Sequence, residues 1–436
     1  MTTNVLTGST GFTQEAFDAF LATRDEPVWL VERRRAAWRT FLELPLPSRR
    51  DEEWMRTDLR LFHLDRFGPP AESSRQAALP DHWLSQGVQL AGATASLDSR
   101  PHSATLDPRW AERGVIFGSL DELVARHGDR IRSRLSSAID PRQDKFSALH
   151  EACWSGGALL YVPPGVVMDQ PLHILSAIAG GGVDFGRTLV ILDEGAEATV
   201  LSETAGGGDA SGLHCGAIEL FVGPSAKLRY VNLQNWGTGV WHFAQQRAIV
   251  DRDGALQWTI GALGSRLAQV QQHVELVGEG AQAQVNGVMF TEGKQHLAYH
   301  TRQDHHAPNC KSNLLYKGAL QDKSRIVWRG MIHVDQDAQK TDGYQRNDNL
   351  MLSDTARADS IPGLEILADD VRCSHGSTIG RVEEELIFYA CSRGLTRREA
   401  ARMIVAGFFQ QVLDRITIDS VRGALGEVIG RRVREY

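Results

Sequence analysis

Between residues 194 and 285 the chain repeats one short pattern four times. Glu194-Gly-Ala-Glu-Ala-Thr-Val200 is followed by Pro224-Ser-Ala-Lys-Leu-Arg-Tyr230, Asp253-Gly-Ala-Leu-Gln-Trp-Thr259 and Glu279-Gly-Ala-Gln-Ala-Gln-Val285, at spacings of 26 to 30 residues. Asp322-Lys-Ser-Arg-Ile-Val327 and Asp354-Thr-Ala-Arg-Ala358 read as degenerate later copies. A turn-then-strand unit of this length cannot bury its apolar side alone and must stack on its neighbours. A solenoid meets that need, and so does an antiparallel β-sandwich or barrel joined by hairpins. The repeat alone does not choose between them. The 42 glycines, concentrated between about 155 and 295, supply the frequent turns that either arrangement requires.

The flanks have a different period. Ala16, Phe17, Phe20 and Leu21 fall on one face of a helix, and Val31, Trp38, Phe41 and Leu42 on one face of a second, which Leu44-Pro-Leu-Pro47 ends. Residues 1–67 therefore read as a helical region and 68–114, rich in Pro, Ser, Ala and Gly, as a connector. The β core spans 115–382, with a helical patch near 119–138 and strand-length apolar runs at 187–192, 217–222 and 274–277. Residues 383–436 turn helical again. Thr396 and Glu399 form a capping box, and Ala400, Ile404, Phe408 and Val412 make one i+4 ladder beside Val405, Phe409 and Leu413. So wide an apolar arc packs on the chain's own β body or also meets a partner subunit.

Composition removes several classes. A net charge of −7 argues against a dedicated nucleic-acid binder. No apolar run reaches the ~18 residues of a membrane-spanning helix. The first basic residue is Arg24, so no signal peptide is expected. Five scattered cysteines without a CxxC pair read as reduced thiols in the cytoplasm.

Chemistry-bearing residues occur in three clusters. His296, His300, His305, His306 and Cys310 could supply metal ligands, but their spacing matches no compact zinc motif, and side chains on a strand alternate faces. Cys373 and His375, two apart on a strand, point to the same face and could bind a soft metal or an iron–sulfur species, form a nucleophile pair, or be structural. Glu365, Asp369 and Asp370 make a poor acid–base set, because adjacent strand residues face opposite ways. Residues 287–294 mimic a phosphate loop but place five residues between the glycines, with Gln295 where Ser or Thr is required. No GxSxG elbow is present, and nothing in the chemistry alone points to an enzyme.

The segment Lys340-Thr-Asp-Gly-Tyr-Gln345-Arg-Asn347-Asp-Asn349-Leu-Met-Leu-Ser353 continues through Ser360-Ile-Pro362-Gly-Leu-Glu365 and Asp369-Asp370-Val-Arg-Cys373-Ser-His375-Gly-Ser-Thr378. Phe388-Tyr389, Ser392-Arg-Gly394 and Ala406-Gly-Phe408 follow it. This run resembles the SufB/SufD family of iron–sulfur cluster assembly scaffolds, most densely over 296–409. Glu53-Trp54 with Arg56-Thr57 and Leu59, His300-Thr301 and the 306–312 segment are similar to further family positions. Two departures point to the SufD branch. Gly376-Ser-Thr378-Ile follows His375 where SufB-like chains carry Glu-Ala-Thr-Thr, and no thiol stands near Ala356.

The resemblance implies a mainly β fold, a right-handed parallel β-helix between helical ends. It implies a non-enzymatic scaffold subunit that pairs with SufB through its β-helix. SufC, an ABC-type ATPase, would sit at the C-terminal helices, where Thr396, Glu399, Ile404, Phe408, Phe409 and Val412 are the expected contacts. His375, with Cys373 beside it, would complete a transient iron or cluster site at the SufB interface. No permanently bound cofactor, nucleic acid or membrane is expected, and the isolated chain could self-pair. The alternatives are a SufB-like scaffold, a self-sufficient β-helix metalloprotein using His300, His306 and Cys310, and a homodimer that only recruits SufC. A carbohydrate-active β-helix enzyme would need clustered outer carboxylates, which are not visible.

Overall fold

The computed structural model describes residues 11–70, 78–81 and 83–433. Parts of the expected helical ends and connector, at 1–10, 71–77, 82 and 434–436, lie outside the described residues. The chain opens with α1 (Gln14–Ala22) and α2 (Val28–Glu43), then a hairpin of β1 (Gly92–Leu97) and β2 (Arg100–Leu106). α3 (Pro108–Glu112), β3 (Ile116–Ser119), α4 (Leu120–Ile131) and α5 (Lys145–Cys153) follow. The hairpin corrects the reading of 68–114 as a loose connector: Gly92–Leu97 pairs in parallel with Leu172–Ile178 and is part of the β body.

The body consists of β4 (Gly157–Val162), β5 (Leu172–Ile178), β6 (Val183–Asp184), β7 (Arg187–Leu192), β8 (Glu197–Gly206), β9 (Gly212–Val222), β10 (Lys227–Trp236), β11 (Val240–Val250), β12 (Ala255–Ala262), β13 (Leu267–Leu276), β14 (Gln282–Thr291), β15 (His296–His305), β16 (Lys311–Leu320), β17 (Arg325–Val334), β18 (Asp342–Met351), β19 (Arg357–Ile366) and β20 (Arg372–Arg381). From β8 onward each strand pairs in parallel with the strand two ahead, so even strands form one sheet and odd strands the other. The result is a β-solenoid of about 8 turns. This decides between the two arrangements that the repeat left open.

The repeat has a physical cause. Gly165, Gly195, Ser225, Asp253, Gly280, Asn309 and Lys340 occupy one corner of successive turns, all with φ between 54° and 68° except Gly280 at 74°. Each of these residues donates its backbone N–H to a carbonyl in the next turn, as in Gly195 to Pro224 and Asn309 to Gln339. The third copy is therefore one residue out of step with its sequence alignment, because Asp253 rather than Gly254 takes the left-handed corner. Asp322 and Asp354 belong to the opposite corner, before β17 and β19, and are not copies of this unit.

Inside the stack Val200, Tyr230, Trp258, Val285 and Leu314 form one buried column. The terminal regions cover the outer faces. α1, α2, α5 and the 54–67 segment pack Trp38, Trp54, Phe62 and Phe146 on Trp241 and Phe243 of the odd sheet. Within that segment Thr57 donates to Gln269 at 2.7 Å, and Gln271 donates to the Glu53 carboxylate at 2.6 Å. α6 (Glu384–Ser392), α7 (Arg397–Leu413) and α8 (Asp419–Arg432) cover the even sheet, burying Leu233, Val288, Phe290 and Leu315.

Candidate functional site

The two ends of the solenoid differ. At the start β2 and β3 pair antiparallel with β1 and β4, which closes the stack. At the other end β19 and β20 are the last strands of their sheets, and each leaves a ten-residue edge unpaired. Such an edge is a row of open donors and acceptors, ready to pair with another chain.

Cys373 and His375 lie on this last strand. Register places Cys373 above Gly343 and Ser312, and His375 above Gln345 and Leu314. Leu314 belongs to the inner column, so both side chains share the inward face, as their two-residue spacing predicts. They are at the open mouth because no further turn covers them. His375 is exposed and Cys373 half-buried. The thiol packs beside Ile332, Val334 and Leu364, and burial raises its pKa while a hydrogen bond from Gly343 partly offsets it. It rests as a thiol, to be deprotonated by a metal that binds it. Gly343 leaves room for it, since a Cβ there would stand 3.2 Å from the sulfur.

Beneath the mouth lies a layer of oxygen donors that the sequence reading did not single out. Gln345 and Asn349 are buried on the inward face of β18, and Ser360 lies on β19. Gln345 Oε1, Asn349 Oδ1 and Ser360 Oγ have no hydrogen-bond partner. Gln345 donates its amide to the Gly363 carbonyl at 2.7 Å, which aims its oxygen over Gly330. A polar residue at a position that holds Leu314 one turn earlier is the sequence signal for this layer. The set, one imidazole and one thiol over neutral oxygens, is a donor set of the kind a soft or borderline metal accepts, but it does not complete a coordination sphere.

The 296–310 cluster does not converge. His296 and His300 face the N-terminal segment, where burial lowers each pKa to about 4. His305 is in the interior against Ser312 at 2.9 Å, also with its pKa lowered by burial to about 4. Cys310 is buried and donates to the Gly278 carbonyl at 3.2 Å. His306 alone lies on the outer surface, with Asp335 at 2.7 Å. Among the described residues no three His, Cys, Asp or Glu side chains form a preformed metal cage.

The expected contacts on α7 divide. Thr396 and Glu399 form the capping box and are exposed. Ile404 and Phe408 are half-buried against the helical cluster. Phe409 and Val412 are fully buried in it and present no surface, which corrects their assignment as contacts. The exposed apolar residues are instead Leu386, Phe388 and Tyr389 of α6 and Met403 of α7, with Phe388 at 75% exposure. Among the described residues no helix is long and apolar enough to cross a membrane.

Comparison with known families gives two adjacent matches. Residues 16–174 match the SufBD protein N-terminal region, and residues 174–408 match the SufBD core domain of SUF system FeS cluster assembly. Curated relatives include iron–sulfur cluster assembly SufBD family proteins of Staphylococcus epidermidis, Staphylococcus haemolyticus and Staphylococcus aureus. Each is 28% identical over 414 residues, covering 92% of this chain and 88% of the relative.

Proposed function

The chain belongs to the SufBD family of iron–sulfur cluster assembly proteins, and from that premise we propose that it acts as a SufD-type subunit. It would pair with a SufB paralogue and carry the SufC ATPase. The observation that carries this reading is the open end of the solenoid. Two unpaired edge strands surround an incomplete donor set, His375 and Cys373, so the site becomes whole only when a second chain completes both the sheets and the ligands. The absence of a thiol near Ala356 and of a carboxylate after His375 favours the SufD role over the SufB one.

Iron and sulfide are cargo in this reading, not a resident cofactor, and the chain catalyses no reaction itself. A site divided between two subunits holds its cargo only while both are in register. Movement of the partners by ATP hydrolysis alters the ligand geometry and releases it. A neutral imidazole binds iron less tightly than a thiolate, which suits transfer. The exposed Leu386, Phe388, Tyr389 and Met403 give the ATPase an apolar landing site next to the helices.

Affinity purification from the native cells, with anaerobic iron and sulfide analysis, tests this. Recovery of a small ABC ATPase and a paralogous β-solenoid subunit is expected. In the reconstituted complex His375→Ala should lower cluster assembly about tenfold or more, since even loss of an outer-shell partner costs that much. A lone chain that retains one metal per subunit, or unchanged assembly by the variant, overturns the reading.

A further inference from the structure

An open cleft of about 610 Å³ separates the link between α7 and α8, at Arg415 and Thr417, from the outer face of the even sheet. Its floor is one row of side chains across five strands: Arg229, Gln257, Gln284, Asn313 and Tyr344, each in register with the next. A strand spacing of about 4.8 Å makes the row about 19 Å long. Lys227 and Lys311 stand two residues before Arg229 and Asn313 and so share their face. This face is opposite to the inward one that carries Gln345 and His375, so the cleft is separate from the mouth.

The cleft is lined by donors. Arg415 is half-buried, and its Nη1 donates to Asn313 Oδ1 at 2.7 Å and to Asn286 Oδ1 at 3.5 Å. Its carbonyl accepts from Gln257 Nε2 at 2.7 Å. These bonds fix the residue against the floor through neutral amides and engage one of the three guanidinium nitrogens. Among the described residues Nε and Nη2 have no protein acceptor. Gln284 and Asn313 accept through their side-chain oxygens, from Gln257 at 3.4 Å and from Arg415, which leaves both amide NH2 groups as open donors. Lys227 is paired with Glu197 at 2.7 Å, but among the described residues no carboxylate pairs with Arg229, Lys311 or Arg415. Asp342, next to Lys311 in register, is the acid that lines the cleft. Burial lowers the pKa of Arg415, opposed only by the Tyr344 phenol, and Lys317 adds a like charge from the same sheet.

A guanidinium drawn partly out of water without a counter-charge is unfavourable, and an anion in the cleft relieves it. We propose that this cleft binds a small phosphate ester, with its phosphate on Arg415 and the Asn313 amide and its hydroxyl-bearing part along the row towards Arg229. Charge favours this class. Three unpaired cations against Asp342 leave a local excess of two positive charges in a chain whose net charge is −7, and a phosphate monoester carries about −1.5 to −2 at neutral pH. Geometry favours it too, because the guanidinium fork matches phosphate oxygens in pairs. An apolar ligand is disfavoured, since pockets for such molecules are lined mainly by apolar and aromatic side chains and this floor is a row of amides and cations. Arg415 belongs to the helical link and the floor to the solenoid, so a bound phosphate ties the C-terminal helices to the β body. The site does not depend on the SufD assignment.

The test is isothermal titration calorimetry of the full-length chain, alone, with ribose 5-phosphate and with adenosine 5′-monophosphate, and with ribose and hexaglutamate as controls. Saturable binding of one ester per chain is expected, with none of ribose. Arg415→Gln should weaken it by about tenfold or more, the usual cost of a lost charged hydrogen bond. Arg229→Gln and Lys311→Gln, on the exposed surface of the sheet, should each weaken it by less, because exposed charges are screened. They keep the test decisive if the Arg415 variant loosens the helical link, and circular dichroism separates loss of ligand from loss of fold. Three results would each overturn the proposal: no saturable binding of either ester, binding unaltered by all three variants, or hexaglutamate bound as tightly as the esters, which would assign the cleft to an acidic protein segment.

Discussion

Gly195 shows how a single backbone requirement leaves a mark in the sequence. Its φ of 66° lies in the left-handed region, and a Cβ there would meet nothing closer than 3.9 Å. Space is therefore not the constraint; the dihedral is. An alanine at this corner should destabilise the protein by about 1–2 kcal/mol, the left-handed penalty for an ordinary residue. Asparagine should cost much less, because its side chain tolerates this region and Asn309 already occupies the equivalent corner. Urea unfolding of Gly195→Ala and Gly195→Asn checks the pair, and equal losses would refute the dihedral account. The corner also explains why the repeat is visible but blurred. Glycine, serine, aspartate, asparagine and lysine all occupy it, so the pattern follows a conformation, not an amino acid. The same logic governs the mouth, where Cys373 and His375 were legible as a same-face pair. Gln345, Asn349 and Ser360 were not, because their significance comes from their place at the open end of the stack and not from local pattern.

At the scale of elements, β20 and α7 give opposite lessons. β20 has an alternation that reads equally well as a buried or an edge strand, and only sheet order shows that its outer side has no neighbour. Ile379 is on its inward face and 45% exposed, so it is part of what a second chain would cover. Lysine on an edge strand is a standard obstacle to strand pairing. Ile379→Lys should leave the isolated chain folded, because nothing packs over that side. It should abolish co-elution with the paralogous subunit on size exclusion. Retained co-elution would mean that the edge of β20 is not the pairing surface. α7 was legible as a helix, with its cap, but not in orientation. Its apolar arc wraps so far that periodicity could not say which part faces the body. Phe409 and Val412 turn inward, into the cluster that the C-terminal helices form with Leu233, Val288, Phe290 and Leu315 of the even sheet. The lone glimpse of α6 as Phe388-Tyr389 was a family likeness, while its exposure is a property of the fold. The 92–106 hairpin was illegible for a further reason: its small residues carry little β signal, and it is ordered by pairing with β5, about 80 residues later.

For the whole molecule the decisive fact is that a solenoid is nearly one-dimensional. Each turn contacts the turns before and after it, so stability is a sum of turn and interface contributions, and an end turn lacks one interface. Here the two ends are not equivalent. The first is covered by antiparallel β2 and β3, with α4 packing Val124 and Ile131 against Leu159 and Leu189. The last has β19 and β20 open, with most residues half-buried or exposed. Local opening follows such differences in burial and backbone pairing. Hydrogen exchange of the isolated chain should therefore show a gradient, with strong protection through β9–β16 and rapid exchange in β19 and β20. The antiparallel cap, although it is also an end, should exchange more slowly than β20. Addition of the paralogous subunit should remove the asymmetry by protecting β19 and β20 while leaving β1–β3 unchanged. Uniform protection along the free chain would mean that the open end is stable without a partner, and the argument that its donor set awaits completion would lose its structural basis.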